Sequence, residues 1–313
     1  MPPRPATERR SAIATTSAEP WPALPYDAWK DTYATLHMWT QIVGKVALAL
    51  GPPLNHCWGV ALHLTARGLA TRSLRYGDRS CELEFDFIDH HLAIRASDGR
   101  ERAVLLGPRT VADFYREVLA ALDEIGLAVR IWPVAVELPS PIRLDTDTVH
   151  DSYDPVFVHR WWRIIARIAD VLTRERCGFV GKSSPAHFFW GGFDLALSRF
   201  SGRPAPPREG PAFMREAYSR EVISHGFWPG SDPLFEPALY AYAVPEPPGL
   251  RDVTVRPSGA FYHTGLGEFI LPYEAVRTAD APEDAIAAFV NSTYEHAASL
   301  AKWDRSALER HAE

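Results

Sequence analysis

The sequence predicts an α+β fold built from two similar halves, each with a leading helix, an antiparallel meander of strands and a closing helix. Three observations lead to this prediction. Apolar side chains recur at helical spacing in residues 29–50 and again in residues 158–172. Turn-bounded stretches with strand-like alternation follow both of these helices. Several motifs of the first stretch also recur, in the same order, around the second.

Length and composition describe a globular chain without an obvious polyanionic or lipid partner. With 313 residues, 46% of them hydrophobic, it can build one large or two ordinary domains. The formal net charge of −6 argues against nucleic-acid binding through a broadly basic surface. The three cysteines show no zinc or disulfide spacing, and no apolar run suits a membrane helix or a signal core. We therefore expect a cytoplasmic protein with neither nucleic-acid nor membrane partners, while cofactor and oligomeric state stay unassigned.

The chain divides into four segments. Residues 1–20 are rich in Pro, Ser, Ala and Thr and predict a disordered tail. Residues 21–150 form the first half and residues 151–305 the second, and we expect the two to pack as one compact unit. Residues 306–313 are expected to be a C-terminal tail.

In the first half, Pro22 and Pro25 favour an extended lead-in, and the first helix ends before Gly51-Pro52-Pro53. Thr110 is a suitable cap for a helix over residues 111–125. The predicted strands of this half are residues 57–67, 81–87, 92–96, 102–106 and 129–138.

In the second half, Asp154 and Pro155 predict a helix start, with Asp as the N-cap and Pro at the first helical position. A final helix is predicted from Pro282 to about Trp303. The strands between these helices are predicted at residues 188–198, 221–227, 238–244 and 260–271.

An internal duplication would explain the matching motifs. Aligning His37 with His159 also aligns Trp39 with Trp161, and Cys57-Trp58-Gly59 then corresponds to residues 189–191 after an insertion. Chance similarity between two tryptophan-bearing helices is the alternative explanation.

Five long motifs are specific enough to compare with known families: WPxLPY at residues 21–26, TLHMWTQIVGK at 35–45, HFFWGGFDLA at 187–196, SRFSGR at 198–203 and GFWPG at 226–230. Together they resemble an uncharacterised bacterial family whose domain has no known function. The resemblance covers residues 21–303 and implies one fold shared across that family. It implies no activity, cofactor or catalytic residue.

The predicted ligand site consists of two polar helix rows, because residues four apart lie along one face of a helix. If the halves pack about a pseudo-twofold axis, both rows would line one cavity and offer donors to a small anionic or polar ligand. The alternative is that they are solvated or salt-bridged helix faces. The predicted ligand-binding residues are Gln41, Lys45, His159, Arg163, Arg167, Arg67 and Arg199, with His37 at the head of the first row.

Three histidines in the second meander form a weaker hypothesis, a metal site made of His187, His225 and His263. Glu268 or Asp194 would be its carboxylate ligand or base. Packed, hydrogen-bonded histidines are the alternative. His37 and His187 are the candidate catalytic acid–base residues. A ligand-binding module, an enzyme and a protein-interaction module therefore remain three open functions.

Overall fold

The structure, a computed structural model, describes residues 19–310. It confirms the α+β class, since helices pack with two antiparallel sheets. Residues 1–18 of the predicted N-terminal tail lie outside the described part of the chain. Within residues 19–310, none of the helices combines the length and apolarity that a bilayer crossing requires.

Four helices, the first, second, third and sixth of the described chain, lie where the sequence predicts them. Thr110 accepts a hydrogen bond from the Asp113 amide at the start of the second helix, and Asp154 caps the third through two backbone amides. The helices are α1 (Tyr26–Leu50), α2 (Val111–Glu124), α3 (Pro155–Arg176), α4 (Ala212–Ala217), α5 (Tyr273–Arg277), α6 (Pro282–Leu300) and α7 (Arg305–Leu308).

The first sheet belongs to the first half. Its strands are β1 (His63–Leu64), β2 (Gly68–Ala70), β3 (Leu74–Tyr76), β4 (Arg79–Asp86), β5 (His91–Ala96) and β6 (Glu101–Leu105). They are arranged in the order β1-β2-β4-β5-β6, with β3 also paired to β4.

The second sheet belongs to the second half and has the order β11-β12-β10-β9-β8-β7. Its strands are β7 (His187–Phe189), β8 (Asp194–Pro204), β9 (Arg220–Trp228), β10 (Ala238–Val244), β11 (Phe261–His263) and β12 (Glu268–Pro272). The two sheets meet where Leu62 and Phe188 exchange backbone hydrogen bonds of 2.8 and 2.7 Å.

Several predicted strands are wrong in their continuity. The predicted strand over residues 57–67 begins within a 3-10 turn, Asn55–Cys57, where His56 and Cys57 adopt positive φ angles. Of this range only the two residues of β1 form a strand. Residues 188–198 are split by a turn at 190–193 that contains Gly191-Gly192.

Two more strands differ from prediction. Residues 129–138 form no strand, only an isolated bridge from Val134, since Pro133 and Pro139 cannot donate to a ladder. Residues 260–271 form the β11–β12 hairpin, whose turn uses Gly267 at φ 73°. At the C-terminus, the expected tail begins with ordered chain, because α7 is followed by a bridge from Glu309 to Phe179.

The second sheet has two faces of different character. Its core face packs against α3 and α6 and includes Leu197, His225 and Ala241, which are aligned across neighbouring strands. Its other face, here called the outer face, carries the next row, Ala196, Gly226 and Tyr240. Adjacent residues of a strand point to opposite faces, so His225 and Gly226 lie on different sides of the sheet. The internal duplication stays a hypothesis.

Candidate functional site

Three carboxyl groups come together where the first half meets the outer face of the second sheet. Asp194 and Glu268 are the first residues of β8 and β12, and Glu137 follows in the loop after α2. Glu137 and Glu268 both lie within electrostatic reach of Asp194. We call these three residues the acidic site.

The Asp194 carboxylate is held by a tyrosine rather than by a cation. The Tyr240 hydroxyl donates to Asp194 Oδ2 at 2.5 Å. The tyrosine ring reaches this position by lying over Gly226, where a Cβ atom would come within 2.3 Å of Tyr240 Cζ. A glycine is therefore required beneath the ring. Within residues 19–310, Asp194 forms no ion pair with a lysine, arginine or histidine.

The acidic site raises the pKa values of its own members. Burial raises the pKa of Asp194 to about 7; the Tyr240 hydrogen bond opposes this shift and the charge of Glu137 adds to it. Burial and the charge of Asp194 raise the pKa of Glu268 to about 7. Burial also raises the pKa of Glu137, whose carboxylate packs on Gly191 although the residue as a whole is exposed. Two carboxyls thus change protonation near neutral pH.

Helix α1 fixes both loops that carry the acidic site. The His37 Nε2–H donates to the carbonyl oxygen of Gly191 at 2.8 Å, in the turn before Asp194. The Gln41 side chain donates to Val136 O at 2.8 Å and accepts from Val136 N at 3.0 Å, directly before Glu137. Burial lowers the pKa of His37 to about 4, so this histidine is neutral at physiological pH. His37 and Gln41 are positioning residues for the site.

Unusual backbone conformations are concentrated around the acidic site. Positive φ angles are uncommon for residues other than glycine, and each costs about 1–2 kcal/mol unless the surroundings enforce it. Cys57 is within electrostatic reach of Glu137, and Phe193 directly precedes Asp194. Four of the six positive-φ residues of this kind within residues 19–310 belong to this region: His56 (58°), Cys57 (53°), Glu137 (60°) and Phe193 (56°).

Aromatic side chains extend the site along the outer face. Tyr242 stacks on Tyr240 with ring centroids 6.0 Å apart, and its hydroxyl lies 3.0 Å from that of Tyr218. The Tyr218 and His56 ring centroids are 6.1 Å apart, so these tyrosines extend to the strained turn at Asn55–Cys57. Rings with polar tips are well suited to contact a polar ligand.

The two predicted helix rows have different partners. In the first row, His37 and Gln41 bind the loops of the acidic site, and Lys45 is buried with its Nζ 5.8 Å from the Trp190 ring centre. Burial lowers the pKa of Lys45. In the second row, His159 contacts Trp162, Arg163 donates to Glu19 O at 2.9 Å, and Arg167 lies 3.9 Å from Glu283. The second row therefore contacts the N-terminal segment and α6.

Two arginines of the predicted ligand site, Arg67 and Arg199, lie in dissimilar places. Arg67 is in the turn between β1 and β2, where it is half-exposed and pairs with Asp86 and, at 2.6 Å, with Asp89. Arg199 is buried within β8 on the core face. Neither arginine contributes to the acidic site.

The three histidines of the metal hypothesis lie apart on the second sheet. His187 is on the outer face beside Phe189, His225 is on the core face, and His263 Nδ1 accepts from the Leu266 amide in the β11–β12 turn. Burial lowers the pKa of His187 to about 4. In residues 19–310, no group of three or more His, Cys, Asp or Glu side chains has a metal-binding arrangement.

Two surface clefts lie away from the acidic site, and their acidic groups are already paired. One, of about 560 Å³, lies along α2, where Arg109 pairs with Glu117. The other, of about 340 Å³, lies beside the ends of β9, β10 and α6, where Glu221 pairs with Arg203 and Glu246 with Arg251. The chemistry therefore favours the acidic site over both clefts.

Sequence reasoning missed most of this site. The sequence predicts Asp194 and Glu268 only as partners of a metal, and the predicted site residues include neither Glu137 nor Tyr240. The signal available was the Gly191-Gly192 pair before Asp194, because glycines there allow the Glu137 carboxylate to approach the backbone.

Comparison with known proteins places the chain in a family. Residues 21–310 match the model of the Family of unknown function (DUF5996), so the chain belongs to that family. Neither the search of curated proteins nor the search of solved structures gave a match.

Proposed function

For this member of a family of unknown function, we propose that the acidic site binds a small polar ligand, neutral or cationic, and exchanges protons with it. The observation that carries the proposal is the Asp194 carboxyl group, which is part-buried beside two other carboxyls and has no cationic partner within residues 19–310. Burying an uncompensated carboxylate is costly, and such arrangements are concentrated at functional sites.

The chemistry of the proposed site is general acid–base catalysis. Asp194 and Glu268 both have a pKa of about 7, so one can carry the proton while the other accepts one. Tyr240 holds Asp194 in place by donating its hydroxyl hydrogen to the Asp194 carboxyl group. The strained backbone around Glu137 and Cys57 supports a functional role, because such strain persists where the surrounding structure enforces it.

The negative charge of the acidic site favours some classes of ligand over others. Three carboxyls repel phosphate or carboxylate ligands and favour amines or hydroxyl-rich molecules, which can donate hydrogen bonds to them. The proposed site lies between residues of both halves. Anion binding by Lys45 and the arginines of α3 stays a separate prediction.

The test is a thermal-shift screen of wild-type protein with size-matched amines, polyols, carboxylates and phosphates at pH 6 to 8. We expect stabilisation by amines or polyols only, and loss of that response in Asp194→Asn and Glu268→Gln. Asp145→Asn is the matched control, because Asp145 forms a surface ion pair with Arg143 at 2.7 Å. A hit that stabilises Asp194→Asn as strongly as wild type would exclude the acidic site as its binding place.

Turnover separates an enzyme from a binding module. Any stabilising ligand is incubated with wild type and with Glu268→Gln, and its conversion is followed by mass spectrometry. Conversion by wild type alone supports acid–base catalysis, and unchanged ligand with both proteins supports binding without chemistry. A cytoplasmic location and the lack of a nucleic-acid partner belong to the same proposal, supported by the net charge of −6 and the cysteine spacing.

A further inference from the structure

Arg199 is a buried cation without a hydrogen-bond acceptor. It lies on the core face of β8 with 2% of its surface exposed. Among residues 19–310, its guanidinium donates no hydrogen bond and forms no ion pair, and Nη1 is fully shielded from solvent. A guanidinium has five N–H donors, and buried ones are normally paired with carboxylates or other acceptors.

The groups around Arg199 leave its Nη1 without a hydrogen-bond acceptor. The Tyr294 ring covers one face of the guanidinium at 5.0 Å. Glu175 and Glu309 are within electrostatic reach, but Glu175 accepts from Asn291 at 2.7 Å and Glu309 accepts from Arg305 at 2.6 Å. Arg176 adds a second positive charge nearby. Burial lowers the pKa of Arg199 to about 10, so the guanidinium keeps its charge at neutral pH.

The neighbouring strand places an unpartnered acceptor beside this cation. His225 on β9 shares the core face with Arg199 and is 1% exposed. Its Nε2 lies 3.0 Å from Thr293 Oγ1, and that hydroxyl donates its own hydrogen to Phe289 O at 2.7 Å. The imidazole must therefore donate through Nε2, which leaves a lone pair on Nδ1. Nδ1 is buried without a partner.

We propose that Arg199 and His225 form an internal binding site for a small oxyanion that keeps a hydroxyl group, such as hydrogen carbonate or dihydrogen phosphate. The oxyanion accepts hydrogen bonds from the guanidinium edge, neutralises its charge, and donates its O–H to His225 Nδ1. Sulfate and chloride carry no such hydrogen and satisfy only the arginine. The site lies on the core face, so it is separate from the acidic site on the outer face.

The experiment measures the melting temperature of the wild-type chain in hydrogen carbonate, phosphate, sulfate and chloride at one pH and one ionic strength. Hydrogen carbonate or phosphate is expected to raise Tm by about 3 °C at saturation, the size of shift that about 1 kcal/mol of ligand stabilisation gives in a chain of this length. Sulfate and chloride are expected to give smaller shifts. Equal shifts with all four salts overturn the proposal.

Two variants locate the effect. Arg199→Met removes the charge at similar volume, so it should abolish the anion response while leaving Tm in anion-free buffer unchanged or higher. His225→Phe should abolish the preference for hydroxyl-bearing anions over sulfate. Arg67→Met is the matched control: it removes a paired, half-exposed arginine and should lower Tm but keep the anion response. A full anion response in Arg199→Met overturns the site.

A direct titration keeps the proposal testable if the variants do not fold. Calorimetric titration of wild type with hydrogen carbonate or phosphate should give saturable binding with one anion per chain, weakened by competition with the other. Absence of saturable binding for both anions overturns the proposal.

Discussion

The two sheets differ in whether their charged side chains have ionic partners. On β4 of the first sheet, the buried Glu84 and Asp86 are each paired with an arginine, Arg95 at 2.7 Å and Arg67. On the second sheet, Asp194 on the outer face and Arg199 on the core face each lack an ionic partner among residues 19–310. Pairing within the sheet satisfies a charge permanently, whereas separation leaves groups that a ligand can satisfy.

The same residue type therefore has opposite pKa shifts in the two sheets. Burial would raise the pKa of Asp86, but hydrogen bonds from Arg67 and from the Ile88 and Asp89 amides outweigh burial and lower it. Burial of Asp194 is opposed only by the tyrosine hydroxyl, and its pKa rises. The comparison separates a carboxylate that stabilises the fold from one that destabilises it.

The largest effect is expected for Asp86→Ala. It leaves two backbone amides and part of the Arg67 guanidinium without an acceptor, so the free energy of unfolding should fall by about 2–3 kcal/mol at pH 7, less than for a fully buried pair because Arg67 is half-exposed. Urea unfolding measures this change, with Asp86→Asn as the milder control. If Asp194→Ala is equally destabilising at pH 7, the proposed difference between the two sheets is wrong.

A smaller, pH-dependent effect is expected at the acidic site. The folded-state pKa of Asp194, about 7, lies above its usual value of 3.8, so between these pH values the folded chain holds more protons than the unfolded chain. The free energy of unfolding should therefore fall as pH rises from about 4 to about 7, by roughly 1–3 kcal/mol from Asp194 and Glu268 together, because partial solvent exposure of both side chains reduces the full linkage value.

Unfolding titrations of the double variant Asp194→Asn/Glu268→Gln test this slope. The variant should be more stable than wild type at pH 8 and similar to it at pH 4. Asp86 should act in the reverse direction, because its stabilisation is present above the unfolded pKa and is lost as pH falls through the lowered folded pKa. A wild-type stability that stays constant between pH 4 and pH 7 contradicts the assignment.

The smallest effect is expected for Arg95→Met. Arg95 pairs with Glu84, but its side chain is 44% exposed, and the Glu84 carboxylate keeps a hydrogen bond from Thr65 at 2.8 Å. We expect a loss of about 0.5 kcal/mol in urea unfolding. A loss above that of Asp86→Ala would mean that Glu84 rather than Asp86 is the important buried acid of the first sheet.

The sequence predicted the helices better than the site, for a physical reason. Helical spacing and the Asp154-Pro155 start depend on residues that are close in the chain, and both were confirmed in α3. The acidic site depends on contacts such as Glu137 with Gly191, which are distant in sequence and invisible to periodicity.

The two interrupted strands made the acidic site still harder to predict from the sequence. Alternation continued through residues 57–67 and 188–198, so both were predicted as continuous strands, yet their breaks bring Cys57 and the Gly191 turn to the acidic site. Helical spacing placed His37 and Gln41 on one face, but it could not indicate the loop backbone groups that they bind.

The backbone pairing between Leu62 and Phe188 has a consequence for the integrity of the chain. It pairs Phe188 of β7, an edge strand, with the residue that precedes the edge strand β1, so at this point the two edges present no free amides or carbonyls to another molecule. A chain cut between the halves would release two such edges at once. Keeping both halves in one polypeptide thus protects each from the edge-to-edge aggregation that an isolated half would invite.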